Sequence, residues 1–156
     1  MANSKLSAGL LMFRRCEAEV QVLLAHPGGP YFRKKDAGAW SIPKGEVEDG
    51  EEYLATAQRE FHEETGFTAT GPFIELTPIK QKGGKTVHAW GFEGDCDPAA
   101  IISNTFPMEW PPKSGRQVEF PEIDRAEFFD LTTARQKINA AQAALLDELA
   151  EKLAAE

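Results

Sequence analysis

The sequence contains few of the features that mark disulfide-stabilised proteins. Only two cysteines are present, Cys16 and Cys96, so at most one disulfide could form in the 156 residues. A domain of this length can be stabilised by burial alone. We therefore expect both cysteines to be reduced thiols that are buried or half-buried. A catalytic cysteine would need a partner histidine, and no sequence pattern places one of the three histidines beside either thiol.

Long apolar runs are also missing. An N-terminal apolar stretch, residues 6–13, is followed directly by Arg14 and Arg15. A membrane helix needs about 20 apolar residues, and a signal peptide carries its basic charge before the apolar region. The stretch therefore predicts a buried strand, and we expect a cytoplasmic protein that makes no membrane contact.

Positive charge is in deficit, since 17 Lys+Arg stand against 25 Asp+Glu and give a net charge of −8. Such a surface repels phosphate backbones, so we expect no long nucleic acid as a partner. A small polyphosphate can still bind where a metal ion or a basic loop reverses the local potential. The hydrophobic fraction of 42% predicts one domain over residues 1–156, as a monomer or homodimer.

The pattern of apolar residues predicts an α/β fold. Strands are predicted over residues 7–15, 19–26, 67–79, 85–93 and 123–130, with a short strand at 40–43. One helix is predicted from Asp49, as N-cap, to Gly66, with Leu54, Ala57 and Phe61 facing the core. Residues 132–152 predict one or two further helices. This order predicts a mixed β-sheet between helices.

Residues 104–116 interrupt this pattern. The segment contains Pro107, Pro111, Pro112 and Gly115, and we expect it to be a long loop, because these residues disrupt regular structure. Its aromatic residues Phe106 and Trp110 indicate that the loop is ordered.

Three glutamates on the predicted helix are the most informative feature. Glu60, Glu63 and Glu64 lie at spacings that place them on one patch, where Cβ atoms are about 5–6 Å apart. Like charges this close destabilise a helix, and spreading them around it would solvate them equally well. A hard divalent cation resolves the conflict, because carboxylate oxygens are ligands that Mg²⁺ prefers. Mn²⁺ accepts the same all-oxygen site.

The segment before the helix adds to this patch. Gly45 has no side chain to shield its carbonyl, which can complete a metal shell, although turn geometry alone explains a glycine here. Lys44 can meet a phosphate as a point charge. Arg59 can orient a carboxylate ligand, or form a surface ion pair of little energetic consequence.

Together these residues resemble a known family motif. The sequence GEVEDGEEYLATAQREFHEETGF, from Gly45 to Phe67, is similar to the Nudix box, G-x5-E-x7-R-E-U-x-E-E-x-G-U, where U is a bulky apolar residue. All nine specified positions match. The resemblance implies an α/β/α sandwich and Mg²⁺-dependent hydrolysis of a nucleoside diphosphate linked to another moiety.

The resemblance also implies roles for individual residues. Glu60 and Glu64 would be the principal metal ligands, assisted by the Gly45 carbonyl, and Glu51 would hold the loop and helix together. Glu63 would be a further ligand or the general base. In some family members the base is a glutamate outside the box, and the candidates here are Glu109, Glu119, Glu122 and Glu127.

The substrate is less constrained than the reaction. Residues 8–15 and 40–45 resemble asymmetrical diadenosine tetraphosphate hydrolases, which implies a dinucleoside polyphosphate cut to AMP and ATP. The basic run Arg33, Lys34 and Lys35 either faces solvent or steers phosphate. Candidates for substrate binding are Lys44, Arg33, Lys35 and Trp90, with Trp110, Tyr31 and Phe32 as further aromatic surfaces for a base. The alternatives are a nucleoside triphosphate pyrophosphohydrolase and a catalytically silent nucleotide-binding module.

Overall fold

Strand β1 (Leu6–Cys16) forms the centre of the fold in a computed structural model of the chain, which describes residues 5–156. Successive side chains of a strand point to opposite faces. Leu10 and Met12 therefore lie in one apolar cluster, whereas Leu11 and Phe13 lie in another. A strand that is apolar on both faces needs a covering layer on each side.

The sheet around β1 is mixed. The further strands are β2 (Glu19–Pro27), β3 (Lys44–Glu46), β4 (Ile74–Glu75), β5 (Ile79–Lys80), β6 (Thr86–Glu93), β7 (Thr105–Glu109), β8 (Gln117–Pro121) and β9 (Ile123–Asp130). Seven strands form one sheet in the order β4-β6-β1-β2-β9, with β3 paired to β1 and β5 to β6. The β1–β6 pair is parallel and the other pairs in this sheet are antiparallel.

Helices cover both faces of this sheet. They are α1 (Tyr53–Thr65), α2 (Leu131–Lys137) and α3 (Ala143–Ala154). Helix α1 buries Ala57 and Phe61 in the cluster that contains Leu10, and α3 buries Leu145 and Leu149 in the cluster that contains Leu11. The predicted mixed sheet between helices is confirmed, and the segment predicted as one or two helices over residues 132–152 forms two, which extend one residue before and two residues after that range.

Helix α1 begins later than predicted. Asp49 is not its N-cap: the helix starts at Tyr53, after Glu52, whose side chain makes no capping hydrogen bond. Gly50 has a φ of 80°, which is incompatible with a right-handed helix. The predicted end is confirmed, since Gly66 adopts a left-handed conformation and its N–H donates to the His62 carbonyl.

The prediction of a loop over residues 104–116 was wrong for its first part. Residues Thr105–Glu109 form β7, which pairs with β8 in a separate two-stranded sheet. Pro107 is accommodated because a strand in a two-stranded sheet has only one hydrogen-bonded neighbour. Pro111, Pro112 and Gly115 lie in the connecting turn, where the prediction holds.

Two predicted strands are shorter than expected. The strand over residues 67–79 reduces to β4 and β5, since Pro72 and Pro78 cannot donate ladder hydrogen bonds. Residues 40–43 form only isolated bridges, between Ser41 and Ala25 and between Trp40 and Ile138.

The structure also bears on the predictions made for the two cysteines and for membrane-spanning segments. Both cysteines are free thiols, and Cys96 is half-buried. Cys16 is exposed, contrary to expectation, because it lies at the end of β1 beside the turn into β2. No helix in residues 5–156 has the length and apolar character needed to cross a membrane.

Candidate active site

A cleft of about 660 Å³ lies between α1 and the segment that begins with β3. Its lining residues are Lys44, Gly45, Glu46, Val47, Glu48, Asp49, Glu60, Glu63, Glu64, Asn104 and Glu122. The three glutamates singled out on the helix therefore face one cavity together with the predicted Gly45 and Lys44. All five converge because β3 pairs with β1, on which α1 also packs.

Gly45 allows the Glu60 carboxyl group to approach the backbone of β3. A Cβ atom at Gly45 would overlap the carboxyl carbon and Oε1 of Glu60. Any side chain at this position would therefore displace the glutamate. The close approach explains the glycine by contact with a functional group, beyond the turn geometry that sequence alone suggested.

Arg59 organises the carboxylates on one side of the cleft. Its Nε and Nη2 atoms donate to the two oxygens of Glu51, at 2.7 and 3.0 Å. Its Nη1 donates to Glu60 at 2.8 Å and to Glu63 at 2.9 Å. The bidentate Arg59 guanidinium lowers the pKa of the Glu51 carboxyl to about 2. Arg59 thus joins the loop before α1 to the helix, the holding role predicted for Glu51.

The Glu60 and Glu64 carboxyl groups lack sufficient compensating charge. Burial raises the pKa of Glu64 to about 9, with the charges of Glu60 and Glu122 adding to the effect and Lys44 opposing it. Burial also raises the pKa of Glu60, against the lowering by Arg59. Burial lowers the pKa of Lys44. Two carboxylates that share a half-buried site cannot both stay ionised without a further cation.

The donor set fits a hard divalent cation. Glu60 and Glu64 supply carboxylate oxygens next to the Gly45 backbone, and oxygen is the ligand type that Mg²⁺ requires. Among the described residues, 5–156, no three His, Cys, Asp or Glu side chains stand as a ready-made ligand cluster. Mg²⁺ does not need one, because it usually takes one or two carboxylates and completes its shell with water and substrate phosphate.

Glu122 is the one candidate base outside the helix that the structure brings to the cleft. Its backbone N–H donates to the Asn104 carbonyl at 2.8 Å, and the Asn104 N–H donates to the Glu63 carbonyl at 3.0 Å. These bonds hold the base of the β7–β8 hairpin against the end of α1. Burial raises the pKa of Glu122.

The other three candidates lie elsewhere and have partners of their own. Glu109 accepts from the Gly115 N–H at 2.9 Å, and Glu119 accepts from the Thr105 hydroxyl at 2.7 Å. Glu127 is exposed and pairs with Arg125 at 3.8 Å.

The NUDIX domain family model matches residues 4–149 of the chain. The chain belongs to the Nudix family. This confirms the resemblance drawn from residues 45–67, and the family consists of hydrolases that act on phosphoanhydrides and generally use divalent metals such as Mg²⁺.

Nudix proteins of known structure share the fold over nearly the whole chain. A C. elegans Ap4A hydrolase, solved as a binary complex, has a TM-score of 0.69 at 20% identity, covering 96% of this chain and 99% of that one. The NUDIX domain of Shewanella oneidensis NrtR, solved with ADP ribose, has a TM-score of 0.67 at 15% identity, covering 98% and 90%.

A curated relative matches a shorter segment. An RNA pyrophosphohydrolase of Erythrobacter litoralis is 35% identical over 74 residues, which cover 44% of this chain and 43% of the relative. The chain thus matches less than half the length of that relative.

The predicted substrate-binding residues of this Nudix chain are only partly brought together. Lys44 lines the cleft, whereas Arg33, Lys35 and Trp90 do not. Trp90 is half-buried on β6 and packs against the apolar cluster under α1. The Lys35 ammonium lies 5.4 Å from the Phe32 ring centroid, and Arg33 is exposed.

Asn104 is a cleft residue that sequence reasoning missed. It lies in the segment expected to be loop, at the base of the β7–β8 hairpin, and its N–H donates directly to the Glu63 carbonyl of α1. The alternating apolar residues on either side of the proline-rich turn, Phe106 and Met108 before it and Val118 and Phe120 after it, were a usable hairpin signal.

Proposed function

We propose that this chain hydrolyses a phosphoanhydride bond in a nucleoside diphosphate linked to another moiety, with Mg²⁺, or Mn²⁺ in its place, as cofactor. The observation that carries the proposal is the half-buried Glu60 and Glu64 pair beside Gly45, which lacks sufficient compensating charge and faces a cleft of about 660 Å³. The proposal treats residues 1–156 as one cytoplasmic domain, a monomer or homodimer, acting on a small nucleotide.

The residues in and beside the cleft would have separate roles in binding the metal and the substrate. Glu60, Glu64 and the Gly45 carbonyl would hold the cation, with Glu63 as a further ligand. When bound, the metal neutralises phosphate oxygens and activates a water. Arg59 fixes the carboxylates through its bonds to Glu51, Glu60 and Glu63. Lys44, which also lines the cleft, would contact a phosphate as a point charge.

Glu63 and Glu122 remain as candidates for the general base, and we favour Glu122. Glu63 already accepts hydrogen bonds from Arg59, the shorter at 2.9 Å, so its carboxylate is engaged. The Glu122 carboxylate lines the same cleft and has no hydrogen-bond or ion-pair partner within residues 5–156. A base needs a free lone pair within reach of the attacking water, and Glu122 meets the first condition.

The favoured substrate is a dinucleoside polyphosphate, such as diadenosine tetraphosphate cut to AMP and ATP. The fold shared with the C. elegans Ap4A hydrolase supports this, as does the number of basic loop residues. Hydrolysis of nucleoside triphosphates, as in pool-cleaning enzymes, is the main alternative. The 5′ end of RNA is a further candidate substrate, because a segment of the chain matches an RNA pyrophosphohydrolase.

A catalytically silent nucleotide-binding module is the non-enzyme alternative. Loss of catalysis normally removes carboxylates from the box, and here all of them are present, with Glu60, Glu63 and Glu64 lining the cleft.

A nucleotide panel assayed with Mg²⁺ and with chelator tests these readings together. We expect metal-dependent hydrolysis, with AMP and ATP as products from diadenosine tetraphosphate. Turnover of mononucleoside triphosphates alone would reject the dinucleotide substrate. Binding without turnover of any nucleotide would support the silent module and reject the enzyme.

A further inference from the structure

An aromatic pair lies at the far end of the β7–β8 hairpin, with Tyr31 exposed and Trp110 half-buried. The rings of Tyr31 and Trp110 meet edge to face, with centroids 5.5 Å apart and an interplanar angle of 88°. Tyr31 is 58% exposed and the adjacent Phe32 is 38% exposed. Aromatic groups that cluster with part of their surface exposed, as Tyr31 and Trp110 do, are typical of binding surfaces.

The pair is physically continuous with the catalytic cleft. The hairpin begins at Asn104 and Glu122, which line the cleft, and its strands run from there to Trp110. The loop after β2 runs along the same course: the Gly28 N–H donates to the Glu122 carbonyl at 3.0 Å. Further along, Gly29 lies against the Phe106 ring, and Tyr31 reaches Trp110.

The end of the hairpin is held in one conformation by its own hydrogen bonds. The Trp110 N–H donates to the Arg116 carbonyl at 2.9 Å. The Glu109 carboxylate accepts from the backbone N–H groups of Gly115, at 2.9 Å, and Lys113, at 3.3 Å. A preorganised aromatic surface loses little conformational entropy when a ligand stacks on it.

Positive charge accompanies both aromatic residues, although the chain as a whole carries −8. Exposed Arg33, Lys34 and Lys35 follow Tyr31, and exposed Lys113 and Arg116 follow Trp110. The nearby carboxylates are already engaged: Glu109 by the turn, Glu119 by Thr105, and Asp36 by Lys137 and Trp40. Aromatic rings combined with cations form the kind of surface that binds bases and phosphates.

The length of the hairpin determines what can reach this surface. The backbone pairs Asn104–Glu122 and Trp110–Arg116 are separated by about 20 Å along the strand, at about 3.4 Å per residue. That span equals about six spacings between stacked bases of about 3.4 Å each. A base attached directly to the cleaved phosphate therefore remains near the cleft, and only a base beyond a longer linker reaches Trp110.

We infer that Tyr31 and Trp110, with Lys113 and Arg116, form a second nucleotide subsite that stacks a nucleobase joined through a phosphate chain to the group in the cleft. This inference rests on the proposed function and extends it to substrates with two or more nucleosides. A dinucleoside polyphosphate and the 5′-triphosphate end of an oligoribonucleotide both carry this chemistry.

Binding and turnover are measured separately so that each can fail alone. In chelator, tryptophan fluorescence is titrated with diadenosine tetraphosphate, a 5′-triphosphorylated trinucleotide and adenosine tetraphosphate, which lacks the second nucleoside. Trp110→Phe identifies the signal of Trp110 among the three tryptophans. With Mg²⁺, kcat and KM are measured for the same compounds with Trp110→Ala, Trp110→Phe and Tyr31→Ala. Ile102→Ala, at a position 76% exposed, is the matched control.

We expect quenching of Trp110 by at least one compound with further nucleosides, and weaker quenching by adenosine tetraphosphate. Trp110→Ala and Tyr31→Ala should raise KM for that compound about 10-fold or more, from the loss of stacking, with kcat nearly unchanged. Trp110→Phe, which keeps a stacking ring, should stay near wild type, as should Ile102→Ala. The compound affected identifies the source of the second base.

Equal KM changes for adenosine tetraphosphate and the longer compounds, or no change in either alanine variant, would overturn the inference. Hydrolysis without quenching of Trp110 refutes the subsite and leaves the proposed function standing. Quenching without hydrolysis of any compound refutes the proposed function and leaves the subsite standing. Tyr31→Ala lies outside the hairpin, so it tests the subsite even where Trp110→Ala fails to fold.

Discussion

Removing the charge of Glu51 should destabilise the protein in a way that depends on pH. Glu51 makes two hydrogen bonds to Arg59, at 2.7 and 3.0 Å, and these join the loop before α1 to the helix. Its pKa falls from 4.5 to about 2 under the influence of the guanidinium. That fall corresponds to about 3 kcal/mol of stabilisation of the folded state at neutral pH.

Solvent screening reduces this figure. Arg59 is 31% exposed and Glu51 20% exposed, so we expect Glu51→Gln to lower the free energy of unfolding by about 1–2 kcal/mol at pH 7. Because the folded pKa is depressed, the stabilisation is present above pH 4.5 and is lost as pH falls toward about 2. The difference between wild type and variant should therefore shrink below pH 4.5.

Urea unfolding at pH 7 and at pH 3 measures this difference. Glu52→Gln is the matched control, because Glu52 is the exposed neighbour and its side chain makes no capping bond. A variant as stable as wild type at pH 7 would refute the pairing argument. An equal destabilisation at both pH values would show that lost packing, and not the charge, is responsible.

Three further outcomes follow from the geometry. Gly45→Ala should lower kcat about 100-fold, because the new Cβ displaces the Glu60 carboxyl group, and steady-state kinetics with an unchanged far-UV spectrum would check it. Glu122→Gln should lower kcat about 100-fold or more with little change in KM, whereas Glu119→Gln should not; equal effects in the two variants would contradict the assignment of the base. Leu149→Ala should cost about 2–5 kcal/mol of stability in urea unfolding, because Leu149 is fully buried under the sheet.

The main sheet and the helix that carries the three glutamates could be predicted from sequence because their signals are local. Apolar runs rich in strand-forming residues identify β1 and β2, and Gly66 marks the end of α1. The glutamates of α1 fall on one patch through helical spacing alone, so their meeting at the cleft needs only a correct helix assignment.

The remainder depends on contacts between distant segments. The N-cap prediction at Asp49 failed because Gly50 takes a left-handed conformation and the Glu51 carboxylate turns to Arg59. Asn104 joins the cleft only through the pairing of β7 with β8, which a proline-rich turn concealed. Four glutamates outside the box were candidates for the general base, and the sequence gives no reason to prefer one of them. Glu122 is distinguished only by its place at the base of the hairpin, beside the cleft.

The most direct test of the central claim is the Mg²⁺-dependent hydrolysis rate of Glu64→Gln beside wild type and Glu52→Gln, on whichever nucleotide the wild type turns over. Glu64 lines the cleft and its pKa is raised to about 9. A bound cation would stabilise the ionised form of this carboxylate. We predict that Glu64→Gln keeps its fold and loses nearly all metal-dependent activity while Glu52→Gln keeps it. Near-wild-type activity in a folded Glu64→Gln would contradict the metal site and the function built on it.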